Sequence, residues 1–152
     1  MQTTSPVHDA AFHPNGKLIA FGDESSVLHV VDLASKKPVH EVTTPAPIAH
    51  VEYSHDGTRL LTVHAGGTAM IWDPISWKAQ VEKGVQAGAF SPDAKWLALG
   101  GRNVRLLVPS TGNTSRTIAV PACAITALAW RHDAHQLAVA CMQGNVQLLE
   151  VP

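Results

Sequence analysis

The stretch GAFSPDAKWLALG, at residues 88–100, decides the fold because three other stretches of the chain are built in the same way. Each has an aromatic residue, then two residues, then Asn or Asp followed by Gly or Ala, and then an apolar strand. The other copies are AAFHPNGKLIAFG (10–22), VEYSHDGTRLLTV (51–63) and LAWRHDAHQLAVA (128–140). The aromatic residues, spaced by 41, 37 and 40 residues, are Phe12, Tyr53, Phe90 and Trp130. This spacing indicates a repeat of about 40 residues.

Each copy continues with further short strands. A second apolar strand follows in all four copies: VLHVVDL (27–33), TAMIWDP (68–74), VRLLVP (104–109) and NVQLLEV (145–151). A more polar strand then ends the first three: PVHEVTT (38–44), WKAQVEK (77–83) and SRTIAV (115–120). Turn residues that tolerate positive φ separate the strands, as at Asn15-Gly16 and Asp56-Gly57. No segment keeps a helical apolar period over 10 or more residues, so the pattern predicts an all-β chain.

With its copies aligned, the chain resembles the WD-repeat β-propellers over essentially its whole length. Trp72-Asp73 is the signature dipeptide, and Phe90-Ser91-Pro92-Asp93 is the turn typical of the family. The resemblance implies one β-propeller domain over residues 1–152, with four blades of four antiparallel strands. The expected blades are approximately 5–44, 45–84, 85–120, and 121–152 together with 1–4.

The family's buried His–Ser/Thr–Asp–Trp hydrogen-bond network is expected to be incomplete in every blade. No Gly-His pair precedes the first strand of any copy. The turns between the second and third strands hold Glu24-Ser25, Ala65-Gly66, Arg102-Asn103 and Gln143-Gly144. We therefore expect apolar packing between sheets to hold the blades together.

Closure of the ring is the open question. The fourth copy ends after its third strand, and Gln2–Pro6 aligns with Val42–Pro45 at the end of a fourth strand. An N-terminal strand, from the same chain or from a partner chain, is expected to complete the last blade. We favour a homodimer that closes an eight-bladed ring. The alternatives are a part of a longer protein and a four-bladed ring closed by one chain.

Composition limits the function. The chain has 45% hydrophobic and 15% charged residues and a formal net charge of −1, so it is globular and has no basic footprint for nucleic acid. It shows no membrane-spanning run and no signal peptide, which predicts a cytoplasmic protein. Cys123 and Cys141 are then expected to be free thiols in a reducing compartment.

The residues that could carry chemistry favour turn geometry over catalysis. His8 and His13, like His50 and His55, are five apart, so on a strand they point to opposite faces. We expect no metal site, no cofactor and no catalytic residue. The aspartates recur at equivalent turn positions, as backbone capping requires. A metal-dependent propeller enzyme is the alternative.

The resemblance implies a non-catalytic scaffold for protein–protein interaction, with a protein or a peptide as its partner. Specificity should lie where the copies disagree, just before the first strand and between the second and third strands. Those positions are His8, Asp23, Glu24, His50, His64, Gln86, Arg102, Thr126 and Met142. A different possibility is that these are sensor or assembly blades of a larger multidomain WD-repeat protein.

Overall fold

The computed structural model of the chain describes residue 3 and residues 5–151. In this part there are fifteen β-strands and no helix. The strands are β1 (Val7–Phe12), β2 (Leu18–Asp23), β3 (Val27–Asp32), β4 (Pro38–Thr43), β5 (Ile48–Tyr53), β6 (Leu60–His64), β7 (Thr68–Trp72), β8 (Ala79–Lys83), β9 (Ala87–Phe90), β10 (Leu97–Gly100), β11 (Val104–Leu107), β12 (Thr114–Ile118), β13 (Ile125–Trp130), β14 (Gln136–Cys141) and β15 (Val146–Glu150). The all-β prediction is confirmed.

The strands form four antiparallel sheets in chain order, which we call blades one to four. Blades one, two and three have four strands each, named a to d in chain order, and blade four has the three strands β13-β14-β15. Among residues 5–151, no strand of any sheet comes from another copy of the repeat, so each copy folds as its own meander. The N-terminal strand expected to complete blade four falls mostly on residues 1, 2 and 4, which lie outside the described part of the chain.

The turn between strands a and b is the same in all four blades. Its third residue is Gly16, Gly57, Ala94 or Ala134, each with φ between 57° and 72°. The preceding Asn or Asp caps the turn: the Asp56 and Asp93 carboxylates each accept a hydrogen bond from a backbone N–H two residues further on. The recurring aspartates thus have the turn role that their spacing predicted.

Three junctions between successive blades form the core. Leu28 and Val30 of blade one pack with Ile48 and Tyr53 of blade two. The corresponding junctions are Leu61 and Ile71 with Phe90 and Leu97, and Val104 and Leu106 with Ile125 and Leu137. All of these side chains are at most 5% exposed, and burying one Val, Leu, Ile or Phe side chain contributes roughly 1.5–3 kcal/mol. We call the surface that a blade turns to its successor its forward face.

The prediction of two free cysteines was wrong. Cys123, in the connection before β13, and Cys141, at the end of β14, form a disulfide. The repeat places the d–a connection beside the end of strand b, and this brings together two residues 18 apart in sequence. Disulfides are uncommon in reducing compartments. The two cysteines therefore give no support to the predicted cytoplasmic location.

Candidate interaction surface

The connections of each antiparallel sheet lie alternately at its two ends. The d–a connections (44–47, 84–86 and 119–124) and the b–c turns (24–26, 65–67, 101–103 and 142–145) lie at one end, which we call the loop face. The a–b and c–d turns lie at the other end, which we call the turn face. The positions singled out in the sequence lie in or beside the connections of the loop face.

Four of these positions meet in one cleft between blades three and four. Gln86, Arg102, Thr126 and Met142 line a cavity of about 1060 Å³ with the d–a connection 119–124. All four are exposed, and Met142 is 75% exposed, which is high for an apolar side chain. The cleft is thus built from both connections of the loop face in two neighbouring blades.

The floor of this cleft is held in place by the chain itself. The Ala124 backbone N–H donates to the Gln143 Oε1 atom at 3.0 Å, and the Met142 N–H donates to the Ala124 carbonyl at 2.9 Å. The Cys123 disulfide anchors the same connection. The d–a connection is therefore held in one arrangement by two hydrogen bonds and a disulfide.

His8 and Glu24 line a second, smaller cleft of about 460 Å³ beside blade two. The His8 Nε2 atom lies 3.9 Å from the Glu24 Oε1 atom, and both side chains are roughly half exposed. Ile48 and Pro47 form the apolar wall of this cleft. These two polar residues are available at the loop face, but they lie away from the larger cleft.

Asp23 is buried, with 2% exposure, and shapes its own b–c turn. Its Oδ1 atom accepts from the Ser25 hydroxyl at 2.7 Å and from the Val27 N–H at 3.0 Å, and its Oδ2 atom accepts from His29 Nε2 at 3.1 Å. Burial opposes ionisation, but these hydrogen bonds outweigh it and lower the pKa of Asp23. The carboxylate is thus committed to the turn.

His64 is also buried, with 2% exposure, in a chain of hydrogen bonds inside blade two. Trp72 Nε1 donates to Thr62 Oγ1 at 3.0 Å, the Thr62 hydroxyl donates to His64 Nε2 at 2.8 Å, and His64 Nδ1 donates to the Ala46 carbonyl at 3.1 Å. These donors require the neutral imidazole, and burial lowers the pKa of His64 accordingly. The Trp and Thr of the family network are therefore present, a histidine from the end of strand b bonds the Thr, and the network's Asp is missing, so the network in blade two is incomplete, as expected.

His50 joins blades one and two on the inner surface formed by the a strands. Its Nδ1 atom bonds the Asp9 carboxylate at 2.8 Å, and Nε2 lies 3.7 Å from Glu52. The Glu52 and Asp9 carboxylates raise the pKa of His50 against the opposing effect of burial. Asp9 also accepts the Val51 N–H at 2.9 Å, and Glu52 accepts the Phe90 N–H at 3.2 Å. Asp9 thus links β1 to β5, and Glu52 links β5 to β9.

The sequence reasoning missed Asp9, Thr62 and Cys123 as structural partners. Thr62, His64 and Trp72 carried a usable signal, because the network needs Ser or Thr on strand b and Trp on strand c. The His, however, stands at the end of strand b and not in the Gly-His position. Only the spatial fold shows that its ring still reaches the d–a connection.

Comparison with protein families agrees with this architecture. The model described as WD domain, G-beta repeat matches residues 36–73, which run from the end of blade one to Trp72-Asp73 at the end of β7. No curated protein gives a significant match. The match over residues 36–73 and the four sheets of one design are consistent with a WD-repeat protein. Such repeats typically mediate protein–protein interaction. In the described residues, no helix has the length and apolar character to span a membrane.

Proposed function

We propose that this protein is a non-catalytic scaffold that binds a protein or a peptide on its loop face. The observation that carries the proposal is the cleft between blades three and four. Four exposed residues at which the repeats differ meet there: Gln86 from a d–a connection, Arg102 and Met142 from two b–c turns, and Thr126 from the start of β13. Residues needed for folding should be of the same type in every copy of the repeat, whereas residues that select a partner can differ between copies.

The cleft has both apolar and polar contact groups. Met142 and Pro121 provide an exposed apolar surface. Arg102 contributes a guanidinium that forms no ion pair within the described residues, and Gln86 contributes an amide. Arginine and flexible methionine are both frequent at protein-binding surfaces. The proposed ligand is a segment with an apolar side chain next to a carboxylate.

We further propose that two chains form one eight-bladed ring as a homodimer, with residues 1–152 of each acting as one propeller domain. Blade four supports this proposal. In the described part of the chain, β15 pairs with β14 only, and its other edge is open. An open strand edge presents unpaired N–H and C=O groups and is a template for another strand. An N-terminal strand of the partner chain is the proposed occupant.

The proposed binding cleft is tested with a random peptide library displayed on phage. Peptides selected on the wild-type chain are synthesised, and their affinities for variants are measured by calorimetry. We expect Arg102→Glu and Met142→Glu each to weaken binding at least about tenfold, because each removes a contact and places a charge in the cleft. Both side chains are exposed, so the fold should tolerate the changes.

The matched controls are Lys95→Glu and Ile75→Glu on the turn face. Lys95 repeats the charge reversal, and Ile75, 92% exposed, repeats the change from an apolar residue to Glu. Both should leave the affinities unchanged. Selected peptides that bind the Arg102 and Met142 variants as tightly as the wild type would refute the proposed cleft.

A further inference from the structure

Blade four presents to solvent a surface that the other three blades bury. Val146 and Leu148 of β15 are 64% and 66% exposed. Their neighbours across the forward face, Ala138 and Ala140, leave a shallow apolar surface with Ala127 and Ala129 beside them. Large exposed apolar patches mark interaction surfaces on soluble proteins.

Strand pairing identifies the buried equivalents of this surface. Ala138 pairs with Leu148 and Ala140 with Val146, in the register that joins Ala98 to Leu106 and Gly100 to Val104 in blade three. The equivalents of Val146 and Leu148 in the first three blades are at most 4% exposed: Leu28 and Val30, Ala69 and Ile71, and Val104 and Leu106. In each case the following blade covers them. The forward face of blade four is thus a junction surface without its second half.

Blade one, at the other end of the chain, exposes a surface that could cover the forward face of blade four. Phe12 is 66% exposed, whereas its equivalents Tyr53 and Phe90 are 5% and 2% exposed, each in the junction with the preceding blade. Val7 is 47% exposed, whereas its equivalents are at most 3% exposed: Ile48, Val85 and Ile125. Blade one therefore exposes the two apolar side chains that, in the later blades, pack against the forward face of the preceding blade.

The close contacts at the internal junctions define how the two ends would fit. A Cβ atom on Gly22 or Gly100 would collide with Ile48 or Ile125 of the next blade, so a small residue is needed opposite that side chain. Ala140 is the equivalent of these glycines, and Val7 is the smaller equivalent of the isoleucines. Ala140 is thus one methyl group larger than the glycines, and Val7 is one methylene group smaller than the isoleucines that face them.

We infer that the forward face of blade four binds blade one of a second copy, head to tail, with Phe12 on the Leu148 side of the face and Val7 against Ala140. The inference rests on the ring closure proposed above and names the surfaces that make it. The occupant is a second copy because the two uncovered surfaces are the two halves of one kind of junction, which the chain already forms three times.

The test is sedimentation equilibrium of the full chain and of three variants. The wild type should sediment at twice the 16.2 kDa mass of one chain. Leu148→Asp and Phe12→Asp should each sediment as single chains, with the dimer Kd raised at least about a hundredfold by a charge placed in an apolar contact. Val81→Asp, at a 51% exposed apolar position on the edge strand β8, is the matched control and should remain dimeric.

Mixing the two disrupted variants tests the head-to-tail direction. The Leu148→Asp chain keeps an intact Phe12, and the Phe12→Asp chain keeps an intact Leu148. A one-to-one mixture should therefore form one junction and a heterodimer visible by native mass spectrometry at concentrations on the order of 100 µM, since a single junction lacks the avidity of a ring.

Three results would overturn the inference: a wild-type mass of one chain, a dimer that survives Phe12→Asp, or a mixture that stays monomeric. The second would indicate that blade four binds another blade four. Peptide affinities that depend on Arg102 while the wild type is monomeric would leave the scaffold proposal standing without the ring. A dimer that binds no library peptide would do the reverse.

Discussion

Cys123 and Cys141 form a covalent link at the same place in blade four where blade two has the hydrogen bond from His64 to the Ala46 carbonyl. Both pairs are 18 residues apart, and both tie the d–a connection to the end of strand b. In blade three the equivalent Gly101 approaches the backbone of Gly84 so closely that no side chain would fit. The d–a connection is therefore held beside the end of strand b by a disulfide in blade four, by a hydrogen bond in blade two and by close backbone packing in blade three.

Breaking the disulfide should destabilise blade four more than any other part of the chain. The double variant Cys123→Ser, Cys141→Ser removes a link that closes an 18-residue loop. Because the unfolded chain then regains conformational entropy, the free energy of unfolding should fall by about 3 kcal/mol. Urea denaturation of the variant and of the oxidised wild type measures this difference. The wild type in excess reductant should match the double variant. Equal stability of the oxidised and reduced wild type would show that the link does not stabilise the blade.

Thr62→Val should remove the centre of the network in blade two. The valine has the same shape but leaves Trp72 Nε1 without an acceptor and His64 Nε2 without a donor, both buried. Two unsatisfied buried groups cost about 2–6 kcal/mol together. Thr58→Val, at an exposed turn position, is the control and should cost less than about 1 kcal/mol. A loss for Thr62→Val no larger than the control's would contradict the network's role.

His50 and His64 should give the stability opposite pH dependences. The raised pKa of His50 means that its contribution is fully present below its ordinary pKa of 6.5 and is lost as the pH rises through the folded value. The lowered pKa of His64 means that stability is lost as the pH falls below 6.5, because the buried ring must take up a proton. The two residues therefore act in opposite directions across the same pH range.

Two single variants separate these effects in urea titrations. His50→Gln should cost more stability at about pH 5.5 than at about pH 8, and His64→Gln should cost more at about pH 8 than at about pH 5.5. Each variant is the control for the other. Parallel pH profiles for the two variants would contradict the assigned surroundings of one histidine or both.

Ala94→Gly should stabilise the chain by about 0.5–1 kcal/mol. Ala94 has a φ of 57° at the turn position where blades one and two have glycine, and a Cβ atom is strained there. The reciprocal change Gly16→Ala should destabilise by about 1 kcal/mol, since no atom lies near the added Cβ and only the backbone φ of 69° opposes it. A loss of stability for Ala94→Gly in thermal denaturation would contradict this account of the turn.

The parts of the structure that repeat were predictable from the sequence, and the parts in which one blade differs were not. Phe12, Tyr53, Phe90 and Trp130 revealed the blades because each stands at the same place, the last residue of strand a, in its own sheet. The disulfide was missed because two cysteines 18 residues apart have no meaning until the repeat places a d–a connection beside a strand b. Burial of His64 was missed for the same reason, since its ring also bonds the Ala46 carbonyl, 18 residues away in the d–a connection.

The candidate surface shows the same division. The loop face followed from the order of the strands, and the cleft with Arg102 and Met142 lies on it. Asp23 and His64 are also at positions where the repeats differ, but the structure uses them to hold a turn and a network. Positions at which the repeats differ therefore include structural substitutions as well as the residues proposed to contact a partner, and only burial separates the two groups.

The solution mass of the unmodified chain at micromolar concentration is the decisive measurement for the proposed dimer, because that dimer would cover Leu148 in blade four and Phe12 in blade one together. We expect a single species of twice 16.2 kDa, with no concentration dependence above the dimer Kd. A stable species of 16.2 kDa over the same range would contradict it.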